Sequence, residues 1–413
     1  MRSDRHKHKK KSKAPKVILA LAVILGLLGL GGYGLHHFGI LDGIIPGGAQ
    51  EQAQQSEQQE PEQPEIPYEE QKAAEILEGM TLEEKVYQMF LISPESLLVN
   101  YDAVIASGDI TKAALQECPI GGLMYSKPNF VSKDQILTMI ENTQSYSKLG
   151  LFIAVDEEGG NVSRLMSTFK DVQLEPMYNY KDQGVETARE NARTLGKYIS
   201  GYGFNADFAP VADVWSNPAN SVIGTRAYSD DFAQASELVA AAVKGFHDEG
   251  MICTLKHFPG HGDTSEDSHH TSAFVNKTKE QLQQEEWVPF RSGIVAGADM
   301  VMVGHQIVPS IDEVPATVSH IMVTDILRGE LGFTGVVITD SLKMAAVTSK
   351  YSSGDLAVKC IEAGADLLLD PSDFRTAAKA VIEAVNTGKI SEERIDESVK
   401  RILKLKIQYG IIE

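Results

Sequence analysis

Eight short apolar runs, each followed by a helix-forming stretch, predict an α/β fold built on a parallel sheet. Polar residues recur where those runs end, at Asp156, Lys256-His257, His305 and Asp340, which is how a (β/α)8 barrel presents a site on its C-terminal face. Gly159-Gly160 is no dinucleotide fingerprint, and neither a Walker-type Gly-Lys-Ser/Thr nor an internal repeat occurs. The expected fold is therefore a single TIM-type barrel, preceded by a transmembrane segment and a disordered stalk. An open doubly wound sheet is the alternative.

Residues 1–16 carry eight Lys/Arg against one Asp, a local charge of +7. The 25 residues from Val17 to Leu41 hold no Asp, Glu, Lys or Arg, and 17–35 is rich in Leu, Ile, Val and Ala. That length spans a bilayer core, and the basic flank places the N-terminus in the cytoplasm and the rest outside. A cleaved signal peptide is the competing reading, with Gly47 and Ala49 as small residues at the cut. From 42 to 70 the chain turns to Gln, Glu and Pro, with few apolar side chains to offset the entropy of ordering, and reads as a linker. Taking +7 for 1–16 and −8 for 17–70 from the total of −19 leaves −18 for 71–413, which argues against nucleic acid as a partner.

The barrel is expected over 71–413, a length and an apolar content ample for one large core. Thr81-Leu82-Glu83-Glu84 carries a capping-box pattern before the first strand, Met89 to Ile92. Ile120 to Tyr125 and Leu151 to Val155 follow as strands, with a helix from Ser132 to Ser147 between them. A helix from Gly184 to Gly201 precedes the strand Asn205 to Pro210, and another from Asp230 to Glu249 precedes the strand Met251 to Leu255. Asp299 to Val303, Val336 to Thr339 and Asp366 to Leu369 complete the eight, and a basic amphipathic helix from Ser391 to Tyr409 closes the chain. Cys118, Cys253 and Cys360 match no metal or redox spacing and read as buried small hydrophobes.

The chemistry concentrates in residues 256–270, which hold four His, three acidic residues and one Lys. Pro259, Gly260 and Gly262 rule out a helix there, so a loop is expected. One reading is a metal site using His257, His261, Asp263, Asp267 and His269. The other is acid/base work: in an extended segment the i, i+2 pair Asp267 and His269 shares one side, and the carboxylate orients the imidazole. The residues favour the second. Asp340 ends an apolar run, where the plain alternative is a helix cap. Asp156, Arg164 and Arg226 offer acceptors and forked donors for hydroxyls or a carboxylate, against ordinary rim salt bridges.

Lys256 to His269, as K-H-F-P-G-H-G-D-T-x-x-D-S-H, resembles the signature of the β-N-acetylglucosaminidase branch of glycoside hydrolase family 3. Agreement continues at Val155 to Gly160, Gly224-Thr225-Arg226, Thr339 to Met344 and Gly364-Ala365-Asp366. The resemblance implies a retaining hydrolase of terminal β-linked N-acetylglucosamine. It gives Asp340 as nucleophile, His269 with Asp267 as acid/base dyad, and Asp156, Arg164, Arg226, Lys256 and His257 as sugar ligands. It implies no cofactor and no metal. The partners expected are a carbohydrate, such as a cell-wall fragment, and the membrane through the anchor, for a monomeric chain with its barrel outside the cell. A β-glucosidase or β-xylosidase of the same fold, or a catalytically silent wall-binding protein, are the rivals.

Overall fold

The computed structural model describes residues 66–264 and 273–413. The membrane segment 17–41 and nearly all of the expected linker lie outside the described residues, as do Asp267 and His269. Among the described residues no helix is long and apolar enough to cross a membrane.

Eight parallel strands form one sheet: β1 (Phe90–Ile92), β2 (Gly122–Met124), β3 (Phe152–Val155), β4 (Ala206–Asp207), β5 (Ile252–Phe258), β6 (Met300–Val303), β7 (Val336–Thr339) and β8 (Leu368–Leu369). Neighbours pair in chain order, and β8 pairs with β1, as at Phe90 with Leu368. A bridge between Ile338 and Leu367, with Thr339 N donating to Leu367 O at 3.0 Å, brings the last strand back to β7. The sheet is thus a nearly closed eight-stranded parallel barrel of TIM type, as the alternation of elements predicts. Every residue of β1, β3, β5, β6 and β7 is buried, because helices cover the outside and side chains fill the inside.

Local sequence explains the helices between strands. Thr81 and Glu84 close the expected capping box, Glu84 N donating to Thr81 Oγ1 at 3.2 Å and Thr81 N to Glu84 Oε2 at 3.0 Å, a cap of about 0.5–2 kcal/mol. Ser132, Asp231 and Ser391 cap the helices Lys133–Tyr146, Phe232–His247 and Glu392–Gln408, each bonding the backbone N–H three residues on. Helix Trp287–Val295 docks on β5 through Phe258, whose ring lies 6.1 Å from Trp287 and 5.4 Å from Phe290. Cys118, Cys253 and Cys360 are all buried and in no disulfide.

Two boundaries differ from the sequence reading. The folded unit starts earlier than residue 71: helix Tyr68–Glu78 begins inside the expected linker, and Glu70 pairs with Lys400 and Lys404 of the last helix. Tertiary ion pairs give that acidic stretch partners that its composition does not reveal. β5 runs on through Lys256, His257 and Phe258, which the sequence assigns to the loop. Polarity marks the end of an apolar run, but the ladder continues as long as backbone partners exist, here Phe258 opposite Val303. At the turn that follows, a Cβ on Gly262 would lie 1.5 Å from Val214 O, so only glycine admits this backbone contact.

Candidate active site

The C-terminal ends of the strands bring together six of the eight side chains singled out from sequence. Asp156, Arg164, Arg226, Lys256, His257 and Asp340 line one cavity of about 430 Å³, with Phe208 and Met302 among its apolar walls. That size suits a small-molecule site.

Asp156 follows β3 directly. Its neighbour Glu157 turns inward and accepts the backbone N–H groups of Arg164 at 2.7 Å and Leu165 at 2.6 Å, anchoring the start of helix Leu165–Phe169. Arg164 is thereby aimed at the cavity, where its Nη2 donates to Asp156 Oδ2 at 2.8 Å. Burial pushes the Glu157 carboxyl up despite those backbone donors. Beneath it, Asp207 of β4 accepts Glu157 N at 3.0 Å, and burial raises its carboxyl well above the usual range.

Glu158, 5% exposed, is one of two residues, with Asp213, whose roles sequence reasoning missed. Its Oε2 accepts Arg226 Nε at 2.8 Å and its Oε1 accepts Arg226 Nη2 at 2.7 Å, a forked pair. Arg226 sits on the 3₁₀ turn Gly224–Arg226 in the long segment after β4 and also donates to Val222 O at 3.0 Å. Lys256, on β5, reaches Glu158 Oε1 at 2.5 Å and also bonds Asp156 Oδ1. Burial drives both carboxyls up, but the cations outweigh it: Lys256 and Arg164 at Asp156, Arg226 and Lys256 at Glu158, so both lie below the ordinary value. Burial lowers Lys256, and Asp156 and Glu158 more than reverse that. Three cations against two anions give this ion-pair cluster one net positive charge and oriented donors.

On the adjoining wall, His257 Nδ1 donates to Asp213 Oδ2 at 2.7 Å, and His261 N donates to Asp213 Oδ1 at 2.7 Å. Asp340 follows β7; its N–H donates to Val303 O at 2.8 Å and its Oδ1 accepts Ser341 N at 2.7 Å. His305 Nε2 donates to Ser341 O at 3.0 Å and so braces the turn that carries Asp340. Lys343, also on the cavity, donates to Asp370 Oδ2 at 2.8 Å and Ser96 Oγ at 3.0 Å.

The metal reading of residues 257–269 finds His257 committed to Asp213, and His261 Nδ1 at 2.7 Å from Thr264 Oγ1. Among the described residues one His/Cys/Asp group has converging donor atoms, His247, Cys253 and Asp299. It lies at the opposite end of the strands. There His247 Nε2 donates to Asp299 Oδ2 at 3.0 Å, and Cys253 N donates to the same oxygen at 3.0 Å. Trp215 packs edge-on against Tyr178, their ring centres 5.0 Å apart.

Residues 81–405 match the glycosyl hydrolase family 3 N terminal domain. The chain is 34% identical over 317 residues to beta-hexosaminidase A of Pseudoalteromonas piscicida, covering 70% of this chain and 53% of that protein. It is 36% identical over 265 residues to the beta-hexosaminidase of Stenotrophomonas maltophilia strain K279a, covering 62% of this chain and 77% of that protein. The solved glycoside hydrolase family 3 beta-N-acetylglucosaminidase from Paenibacillus sp. str. FPU-7 superposes with a TM-score of 0.75 at 37% identity, covering 80% of this chain and 63% of that one. This chain therefore spans only about half to three quarters of the length of these relatives. A barrel with a charged cavity at its C-terminal face and a match across 81–405 together make the chain a member of glycosyl hydrolase family 3.

Proposed function

We propose that this protein is a retaining exo-β-N-acetylglucosaminidase that removes terminal β-linked N-acetylglucosamine. The observation that carries this reading is the convergence of Asp340 with Asp156, Arg164, Arg226, Lys256 and His257 on a single cavity. The beta-hexosaminidase relatives support the choice of sugar. Asp156 and the cations around it hold sugar hydroxyls, since fixed acceptors and forked donors match that chemistry.

The reaction is a double displacement. An Asp340 oxygen bonds to the anomeric carbon as the bond to the leaving oxygen breaks, and the imidazolium of His269 gives that oxygen its proton. Asp267 orients and charge-stabilises the ring. The neutral imidazole then takes a proton from water, the water oxygen bonds to the anomeric carbon, and Asp340 departs as a carboxylate. His269 here stands where other retaining glycosidases place a carboxylic acid. No step needs a metal or an organic cofactor.

We further propose that 17–41 is a retained anchor holding the barrel outside the cell, where cell-wall fragments supply the substrate. The test is turnover by the full-length chain of aryl β-glycosides that differ only at the 2-substituent, with the first-released anomer followed by NMR. β-N-acetylglucosamine as first product supports the proposal. Preference for glucoside or xyloside, α-anomer as first product, or no turnover at all would each sink it, the last favouring a silent wall-binding protein.

A further inference from the structure

Asp213, on the segment after β4, is 1% exposed, and three N–H groups converge on it. Its Oδ2 accepts both His257 N at 3.1 Å and His257 Nδ1 at 2.7 Å, while Oδ1 accepts His261 N at 2.7 Å. Burial alone would raise this carboxyl, but the facing His257 and His261 hold it below the ordinary value, so it is an anion that can only accept. The ring nitrogen against it must therefore carry the proton, and Nε2 is the nitrogen left for the cavity that His257 lines.

We propose that Asp213 is a positioning residue: it fixes the His257 proton on Nδ1, aims Nε2 at the sugar, and ties β5 to the His261 turn in one hydrogen-bonded unit. The role toward the sugar rests on the assignment of His257 to the substrate site. The backbone around Asp213 is equally fixed. Gly262 packs against Val214, and Asn220 Nδ2 donates to His261 O at 2.7 Å, so the carboxylate cannot shift toward either partner without disturbing the other. An asparagine cannot replace it, because an amide has one accepting oxygen and would turn its NH₂ toward an N–H on one side.

The first measurement is the tautomer. In the full-length protein labelled with ¹⁵N-histidine, with the His257 signals identified by their loss in His257→Gln, long-range ¹H–¹⁵N spectra should show His257 Nδ1 protonated. A proton on Nε2 with Nδ1 bare would overturn the proposal, whatever the substrate proves to be. The second is a double-mutant cycle on an aryl β-N-acetylglucosaminide. Asp213→Asn should lower kcat/KM by about 10- to 100-fold, the loss expected for a hydrogen bond to a charged group. In a His257→Ala background the same change should cost less than about 3-fold, because the residue acts through His257. Full additivity would make Asp213 a purely structural residue and sink the idea. Should Asp213→Asn fail to fold, the wild-type tautomer still decides. Absence of turnover in wild type would instead count against the sugar assignment.

Discussion

At the C-terminal end of the strands, Asp156 and Glu158 pair directly with Lys256, Arg164 and Arg226, and all but Glu158 line the cavity. At the opposite end Asp366 is gripped by Arg328 at 2.5 Å and Arg401 at 3.1 Å, with Arg394 at 4.0 Å. Both clusters bury carboxylates among guanidinium groups, so charge content does not distinguish them. Their remaining partners do. Asp366 also accepts Val337 N at 2.9 Å and Ser398 Oγ at 2.6 Å, Arg328 donates to Phe333 O and Gly335 O, and Arg394 donates to Ala365 O. Those bonds staple two helices to the strands. In the upper cluster the partners are mainly each other, and Asp156, Arg164, Arg226 and Lys256 line a space where a ligand can add further bonds. A buried charge thus works as scaffold when the backbone saturates it and as a site when a cavity keeps it within reach.

The sharpest test of that contrast is Asp340→Asn. A neutral amide cannot attack the anomeric carbon, so turnover should fall beyond roughly 10⁴-fold, the upper range for loss of a general acid, while the melting temperature holds. A 2-deoxy-2-fluoro glycoside with an activated leaving group should label wild type on Asp340. A tag on Asp156 or Asp370 would reassign the nucleophile. Next comes His269→Ala, expected to cost about 10²–10⁴-fold on a disaccharide but far less in forming the glycosyl-enzyme from an activated aryl substrate. Breakdown of that intermediate should then be slow and a burst should appear. Equal slowing of glycosylation for both leaving groups would make His269 a binding residue.

Lys256→Met and Arg328→Met compare the two ends directly. Each removes one cation from buried carboxylates that keep another, Arg164 and Arg226 at one end and Arg401 at the other, so each should lower stability by about 1–3 kcal/mol in urea unfolding. Only Lys256→Met should also raise KM. An equal KM change in Arg328→Met would erase the distinction between the two ends.

A smaller effect is expected at Lys406, buried at the lower end. Its Nζ donates to Gln88 Oε1 at 2.8 Å and lies 5.0 Å from the Phe152 ring centre. Burial depresses its pKa from 10.5 to about 7. Between those values the unfolded chain binds the extra proton, so this lysine makes stability rise with pH from about 7 to 10.5, by at most about 1.4 kcal/mol per pH unit. Below pH 7 both states are charged and its contribution to the slope ends. Lys406→Met should flatten that rise and stabilise the protein at neutral pH; an unchanged slope would mean that Lys406 is not its source. Smallest of all, a chain starting at residue 66 should match the full chain in kcat/KM. Starting at 71 should cost about 0–1 kcal/mol more, since the Glu70 pairs with Lys400 and Lys404 are partly exposed. Inactivity of the 66–413 chain would show that the cavity depends on residues before the barrel.

The strands and the capped helices were legible because their signals are local: apolar runs of strand length, and Ser, Thr or Asp three residues before the backbone N–H they cap. Asp156, Lys256, His257 and Asp340 were legible because a barrel of this kind gathers its chemistry where polar residues end apolar strands. Glu158 and Asp213 were not. Arg226, the partner of Glu158, lies 68 residues away, and His257, the partner of Asp213, lies 44 away. Nothing local separates either from an ordinary surface acid. Helix Tyr68–Glu78 escaped for the same reason, its acidic residues looking solvated until the last helix is set beside it.

Alternation of hydrophobic runs and the caps by themselves pointed to a parallel α/β barrel, and the motif at 256–269 marked the residues proposed for its chemistry, because periodicity, capping and turn chemistry act over a few residues. Only the tertiary structure decided that β5 carries Lys256 and His257 as strand residues, that Glu158 holds Arg226 and Lys256, and that Asp213 faces two histidines. The reason is physical. A buried carboxylate is tolerable only where closure of the barrel supplies its partners, and closure joins residues that no local pattern connects.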